Sequence, residues 1–299
     1  MAQSNQPLAT DSKSGGLAGH SAKPAAVVGF RDLRLPMPPI SKNLPISGPE
    51  FQRPDPDIVS RLTEVSSATA SAVMHRMGVR QTFIGGAVAR QPGAKVVGPV
   101  VTLQFLPKRE DVLAGVAEGM AEEQVEKATA LWAVFETVQP GDVLAVQAGG
   151  DLHTGCMGEM LITYFKGRGG VGIVVDGAIR DWPRVQEIGT PLWTRGFTPN
   201  YASQATLFPW AYNVPVDLSR VLVLPGDIMI ADDDGAVIVP AQMAELVLEH
   251  TLDHEDWEVF SRMKLAEGGR LSKYYPLNDE GRAEYEAWQR NGGAGRKVE

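Results

Sequence analysis

The stretch Gly149–Asp181, GGDLHTGCMGEMLITYFKGRGGVGIVVDGAIRD, constrains this chain more than any other part of it. Residues 171–179 (VGIVVDGAI) are apolar and rich in β-branched side chains, with no charge until Asp176. That pattern predicts a strand buried on both faces. The preceding GEMLITYFKGRG predicts a short helix that starts near Gly158-Glu159 and is closed by Gly167. A helix running away for about eight residues covers ~12 Å at ~1.5 Å each. The strand Val171–Val175 returns by ~16 Å at ~3.3 Å per residue. The chain thus comes back to the end it left, and Glu159 is expected to face Arg180-Asp181.

The rest of the chain alternates in the same way, which places it in the α/β class. Residues 1–50 are rich in Ser, Gly and Ala and then crowded with proline, and predict a flexible arm that continues as an extended segment. The globular part, 51–240, begins with helices at Pro56–Leu62 and in SSATASAVMHRMG, the latter capped by Ser66 or Ser67 and ended by Gly78. Strands are expected in 94–106, 140–147, 171–179 and 190–197, a helix in 111–138, and a hairpin in 221–240. A long helix over 242–269 and a polar tail make up 241–299, expected to pack on the core or on a neighbouring subunit. Pro140-Gly141-Asp142 recurs as Pro225-Gly226-Asp227, which tight-turn chemistry explains without a duplicated domain.

Composition removes several function classes. A net charge of −8 argues against a nucleic-acid-binding surface. A single cysteine, Cys156, excludes an intramolecular disulfide framework and a Cys-rich zinc site. No run approaches the ~18 apolar residues of a membrane span, and the first residues lack the order of a secretory signal. A cytoplasmic protein is the expectation.

The chemistry concentrates at the end where the helix starts and the strand stops. The first N–H groups of a helix lack internal partners and carry partial positive charge; here they include those of Met160 and Leu161. Glycines 149, 150, 155 and 158 permit close approach of a ligand to the backbone. Arg180 supplies a planar cation for a carboxylate or keto oxygen. Asp181 and Glu159 supply hard oxygens suited to Mg²⁺ or Mn²⁺. Together they describe a site for a small 2-keto acid. The same residues also suit a surface turn with a local ion pair and a helix start favoured by its dipole.

Three other patterns are set aside. Gly167, Gly169 and Gly172 satisfy G-x-G-x-x-G but follow a helix and enter a strand, the reverse of the dinucleotide-binding order. Asp232-Asp233-Asp234-Gly235 lacks the rest of a calcium loop and reads as a hairpin turn. Cys156 near His153 has no orienting partner for a thiol nucleophile.

The strings GDVLAVQAGG, GEML, VGIVVDGAIRD, IGTPLWTRG and PGDIMIADDDGAVIVP resemble the RraA-like family over roughly residues 56–240. That family includes 4-hydroxy-4-methyl-2-oxoglutarate aldolase, which also decarboxylates oxaloacetate, and the regulator of ribonuclease activity A. The resemblance implies the swivelling β/β/α fold and a homotrimer or homohexamer with sites at subunit interfaces. It implies Asp181 as direct metal ligand, Glu159 as holder of metal-bound water, and Arg180 at the pyruvyl keto oxygen. It further implies Gly158, Met160 and Leu161 at the substrate carboxylate, with Glu255 or Asp256 as an additional acid from the C-terminal helix. The long C-terminal helix leans towards the aldolase branch.

The activity so implied is a metal-dependent carbon–carbon lyase. A metal-linked water or hydroxide would take the proton of a 4-hydroxyl, and cleavage or decarboxylation would pass through a pyruvate enolate. No Schiff-base lysine is needed, and Lys166 is expected in solvent. Two alternatives stay open: a non-catalytic regulator that binds a ribonuclease or another protein, and a lyase or isomerase acting on a sugar-acid or aromatic-catabolic keto acid.

Overall fold

Alternation along β5 (Val143–Gln147) sorts the molecule into layers. Val143 and Ala145 enter one buried cluster, while Leu144 and Val146 enter another on the opposite face. Both faces are apolar, so both must be covered. The computed structural model describes residues 44–109, 127–202 and 205–293, without the side chains of 252–255. The expected helix over 111–138 therefore lies largely outside the described residues; its visible end is α3 (Ala130–Thr137). The arm predicted for 1–50 is likewise outside them up to residue 43. Its last part carries β1 (Ile46–Ser47), which joins the sheet.

Strands β4 (Val96–Pro107), β5, β6 (Gly172–Ile179) and β7 (Leu192–Phe197) run parallel in that order, with Val100 opposite Val143, Val143 opposite Gly172 and Ile173 opposite Leu192. Helix α4 (Glu159–Gly167) links β5 to β6, and α5 (Trp182–Ile188) links β6 to β7. Every residue of β6 is buried. Phe135 of α3 and Phe165 of α4 meet edge to face over the sheet, 6.4 Å between ring centres. The expected strands in 94–106 are one long strand that serves two sheets. Its start pairs antiparallel with β11 (Ile228–Asp232), and its end pairs antiparallel with β8 (Leu207–Tyr212).

Strand β11 turns back into β12 (Gly235–Val239), a hairpin shorter than the expected 221–240, because Val221–Val223 pairs with Val216–Leu218 instead. Met229, Ala231, Ala236 and Ile238 face the parallel strands. Their neighbours Ile228, Ile230, Val237 and Val239 face α1 (Pro56–Leu62), α2 (Ser67–Arg76) and α6 (Ala244–Ala266). The result is a mixed α/β fold of two β layers and helices, with α1, α2 and α6 closing the far side. Ser66 caps α2 by accepting from Thr69 N. The terminator of α4 differs from expectation. Gly167 is still helical, and Gly169 takes the left-handed turn at φ 89°, because Gly169 N reaches Lys166 O and Gly170 N reaches Phe165 O. The polar tail folds into α7 (Leu271–Tyr274) and α8 (Asp279–Arg290), which share a cluster of Phe260, Tyr274 and Tyr285 with α6.

The repeated Pro-Gly-Asp segments make the same turn. Gly141 and Gly226 have φ of 92° and 89°. Each aspartate accepts from the residue three before it, Gln139 N at 2.8 Å and Leu224 N at 2.9 Å. They differ in what else they meet. Asp227 accepts a further bond from Ala241 N, and burial holds its carboxyl above the ordinary range. Asp142 is fully buried and takes a two-pronged bond from Arg53, Nε at 2.8 Å and Nη2 at 2.7 Å. This pair fastens the segment before α1 to the start of β5. Arg53→Ala leaves that carboxylate without its cation and is expected to cost about 3 kcal/mol, read as a lower urea midpoint.

Candidate active site

The loop from β5 to α4 is laced onto the end of β6. Gly150 N donates to Asp176 O at 2.9 Å, Cys156 N to Ala178 O at 3.0 Å, and Arg180 N to Met157 O at 3.0 Å. Asp151 holds the middle of the loop by accepting from His153 N and Thr154 N. Gly155 must be glycine here, since a Cβ would stand 2.3 Å from Asn200 O. The lacing brings Gly158, the residue before α4, against Arg180 and Asp181. Ile162 N donates to Gly158 O as the first helical bond, so the N–H groups of Glu159, Met160 and Leu161 have no helical partner.

Asp181 stands at the start of α5 with φ 60° and ψ 31°, a left-handed backbone that non-glycine residues seldom adopt. Its carboxylate makes no capping bond to α5. It turns instead towards Gly158, where Oδ2 lies 3.3 Å from Arg180 Nε and 3.4 Å from Glu159 N. Both contacts are longer than a strong charge-assisted bond, and the side chain is 37% exposed. Arg180 rests its guanidinium over the Tyr201 ring, 5.9 Å from the centroid. A Cβ on Gly158 would come within 2.2 Å of Asp181 Oδ2 and 2.9 Å of Arg180 Nε. Those are side-chain atoms that can yield, so Gly158→Ala is expected to keep its melting temperature while its crystal structure shows the Asp181 carboxylate displaced from this corner.

The predicted residues are thus brought together in part. Gly158, Arg180, Asp181 and the N-terminal amides of α4 share one corner. The Glu159 carboxylate turns to Arg184 on α5, Oε2 to Nη1 3.4 Å, beside a polar depression that also includes Glu187. Glu255 lies on α6, and its side chain is outside the described residues. The main neighbours of that helix are α1, α2 and α7. Asp256, the alternative acid, lies one residue further along the same helix. Among the described residues no group of three or more His, Cys, Asp or Glu side chains is gathered as a metal cage. The donor set nevertheless suits a hard cation that keeps most of its water: one loosely held, partly exposed carboxylate at Asp181, and a second nearby at Glu159.

Next to Arg180 opens a cleft of about 390 Å³, lined by Leu131, Trp132, Phe135, Met157, Leu161 and Tyr164 among others. Sequence reasoning missed this wall and missed Arg184. Pro183 after Asp181-Trp182 marks a first helical turn, and that signal places Arg184 beside the site. The aromatic wall has no such signal, because α3 reaches the cleft only through tertiary packing.

The patterns set aside above have structural uses. Cys156 is buried, and burial together with nearby Asp151 pushes its thiol far up. Asp232 accepts from Ser67 N and Oγ, and Asp233 from Gly93 N, so the acidic turn ties β11 to α2 and to the β3 (Val88–Ala89) loop. Lys166 is exposed and donates to Ile188 O.

A family model described as RraA-like, Aldolase/RraA matches residues 62–238. A putative 4-hydroxy-4-methyl-2-oxoglutarate aldolase of Halalkalibacterium halodurans is 32% identical over 155 residues, which cover 52% of this chain and 64% of the relative. The 4-hydroxy-4-methyl-2-oxoglutarate aldolase of Thermus thermophilus is 34% identical over 107 residues, covering 36% of this chain and 64% of the relative. The match therefore spans under two thirds of either relative. Among solved structures, Streptomyces coelicolor RraAS2 is described as an unusual member of the RNase ES inhibitor RraA protein family. It is 54% identical with a TM-score of 0.65, and the alignment covers 72% of this chain and all of that one. No helix among the described residues is long and apolar enough to cross a membrane.

Proposed function

The chain belongs to the RraA-like family, and on that premise we propose that it is a divalent-metal-dependent lyase that cleaves or decarboxylates a 2-keto acid through a pyruvate enolate. One observation carries the reading. Asp181 holds a strained left-handed backbone without capping its own helix, and its carboxylate is aimed at the corner it shares with Arg180 and Gly158. Strain of that kind clusters at functional sites; Asn213, Ser219 and Arg220 also have positive φ, and it is the aim of the Asp181 carboxylate that distinguishes this position.

In this reading the substrate carboxylate lies at the open N–H groups of Met160 and Leu161, next to Gly158. Arg180 donates to the keto oxygen and stabilises the negative charge that develops there as the carbon–carbon bond breaks. Tyr201 beneath the guanidinium keeps it from swinging into solvent. Asp181 would hold a Mg²⁺ or Mn²⁺ ion directly and Glu159 would hold it through water, and such an ion would supply positive charge that favours the enolate. For that task the Glu159 carboxylate would leave Arg184, its partner at 3.4 Å. Decarboxylation of oxaloacetate and cleavage of a 4-hydroxy-2-keto acid yield the same enolate, so one corner serves both. The assembly proposed with it is a homotrimer or homohexamer, checked by light scattering.

The deciding experiment measures pyruvate released from oxaloacetate and from 4-hydroxy-2-keto acids, with Mg²⁺, with Mn²⁺ and with EDTA. Metal-dependent release is expected. Release that survives EDTA removes the metal from the proposal, and no release from any substrate removes the lyase. The second reading, a non-catalytic inhibitor of a ribonuclease, draws on the 54% identity to RraAS2. It predicts inhibition of RNA cleavage that neither EDTA nor Arg180→Lys alters.

A further inference from the structure

Strand β6 stops being regular at its one charged residue, Asp176. Val174 stands opposite Trp193 of β7 and Val175 opposite Thr194, yet Ala178 stands opposite Gly196. Two residues, Asp176 and Gly177, thus face one, Arg195. A bulge of this kind bends its strand and re-aims the side chains beyond it. Arg180 follows Gly177 by three residues and Asp181 comes next.

Three sets of contacts hold the bulge. The buried Asp176 carboxylate pairs with Arg195 Nε, and Ser219 N donates to its Oδ2 at 3.2 Å. The β5–α4 loop crosses above, with Gly150 N donating to Asp176 O at 2.9 Å. It passes so close that a Cβ on Gly177 would stand 2.6 Å from Ala148 Cβ and 3.0 Å from Asp151 O. The third contact is a side chain of the facing strand. The Thr194 hydroxyl, fully buried, lies 2.7 Å from Gly177 O and 3.2 Å from Gly196 O. It has one proton to give, and the shorter contact is the stronger bond. A bulge leaves its extra residue without a regular partner, and a buried carbonyl left bare is costly. Thr194 supplies the donor that Gly177 O would otherwise lack.

We infer that Thr194 is a positioning residue for the corner: its hydroxyl stabilises the bulge that carries Arg180 and Asp181 to Gly158. Two backbone bonds lie along the path from the bulge to the corner, Cys156 N to Ala178 O and Arg180 N to Met157 O, each 3.0 Å. Thr194, Asp176 and Gly177 lie inside the sheet of one chain, so the arrangement is complete without a neighbouring copy. As a statement about where the Asp181 carboxylate stands, the inference is independent of the proposed chemistry. As a statement about turnover it rests on the lyase reading.

The test compares two variants of the full chain. Thr194→Val keeps the shape and loses the hydroxyl; Thr194→Ser keeps the hydroxyl and loses a methyl. Both should melt below the parent chain, so stability alone does not separate them. The first measurement is a crystal structure of each. Valine is expected to displace the Asp181 carboxylate from Arg180 Nε and Glu159 N, and serine to leave it in place. The second is kcat and KM for pyruvate release from oxaloacetate with Mg²⁺, at a temperature where each variant is folded. Valine should lower kcat at least about tenfold with KM within about threefold, and serine should stay within about twofold of the parent in both. A residue that merely fills the sheet interior would change the melting temperature and neither readout. If Thr194→Val does not fold, Ser219→Ala takes its place with the same direction expected, since the Ser219 hydroxyl lies 3.0 Å from Asp176 Oδ1 on the other side of the bulge. An unmoved corner in the valine structure overturns the proposal, as does a serine variant displaced as far as valine. A displaced corner in a chain whose parent releases no pyruvate keeps the proposal and removes the lyase. An active parent with unaltered kcat in the valine variant keeps the lyase and removes the proposal.

Discussion

Arg180→Lys is expected to lower pyruvate release by about 10²–10³, equivalent to about 2–4 kcal/mol of transition-state stabilisation. In the proposed function the guanidinium presents a planar fork to the keto oxygen, while it stands over the Tyr201 ring, 5.9 Å from the centroid, with Nε 3.3 Å from Asp181 Oδ2. Lysine carries the same charge at a single point on a more mobile stem, so it can satisfy Asp181 or the substrate but not both in the same geometry. The side chain is 40% exposed, and the fold should hardly register the change. Turnover measured beside the thermal melting curve separates the two effects. An unaltered melt with near-normal turnover would take Arg180 out of the chemistry.

The second large effect concerns Asp181 and has opposite signs for stability and activity. Its left-handed backbone is free for glycine and tolerable for asparagine. Because the side chain does not cap α5, Asp181→Gly removes strain and, of the bonds to helices, only the long one from Glu159 N. It should stabilise the fold by about 1 kcal/mol, roughly 2 °C in melting temperature for a domain of this size. The same variant should lose pyruvate release together with any stabilisation by Mg²⁺ or Mn²⁺. Asp181→Asn keeps the shape and removes the charge, and should lose both functions with little change in stability. A destabilised Asp181→Gly variant would mean that the carboxylate serves the fold, and the strain would then cease to support the proposed function.

Much of the fold was legible because the local patterns agree with the tertiary result. The run 171–179 became β6, buried throughout, because a chargeless β-branched segment has nowhere else to go. Ser66 and Gly78 bracket α2 through side-chain and backbone bonds that depend only on neighbours in sequence. The two Pro-Gly-Asp turns fold alike for the same reason. The misreadings have equally local causes. Gly167 and Gly169 both stand near the end of α4, and only the position of the last helical hydrogen bonds selects Gly169 as its terminator. The tail after residue 269 looks polar on average, yet Tyr274, Tyr285 and Trp288 are spaced to reach Phe260, and Asn278 caps α8 by accepting from Gly281 N.

By itself the sequence determined that a helix start and a strand end share one corner, and which residues stand there. Both follow from the rise per residue of two regular elements joined by a short turn. Only the tertiary structure decided where the side chains point. Asp181 turns to Gly158, Glu159 to Arg184, and the aromatic wall of α3 and α4 stands beside Arg180. These directions depend on contacts between residues distant along the chain, and on one left-handed backbone angle. No local pattern encodes them, because their energy comes from packing that exists only once the layers have closed.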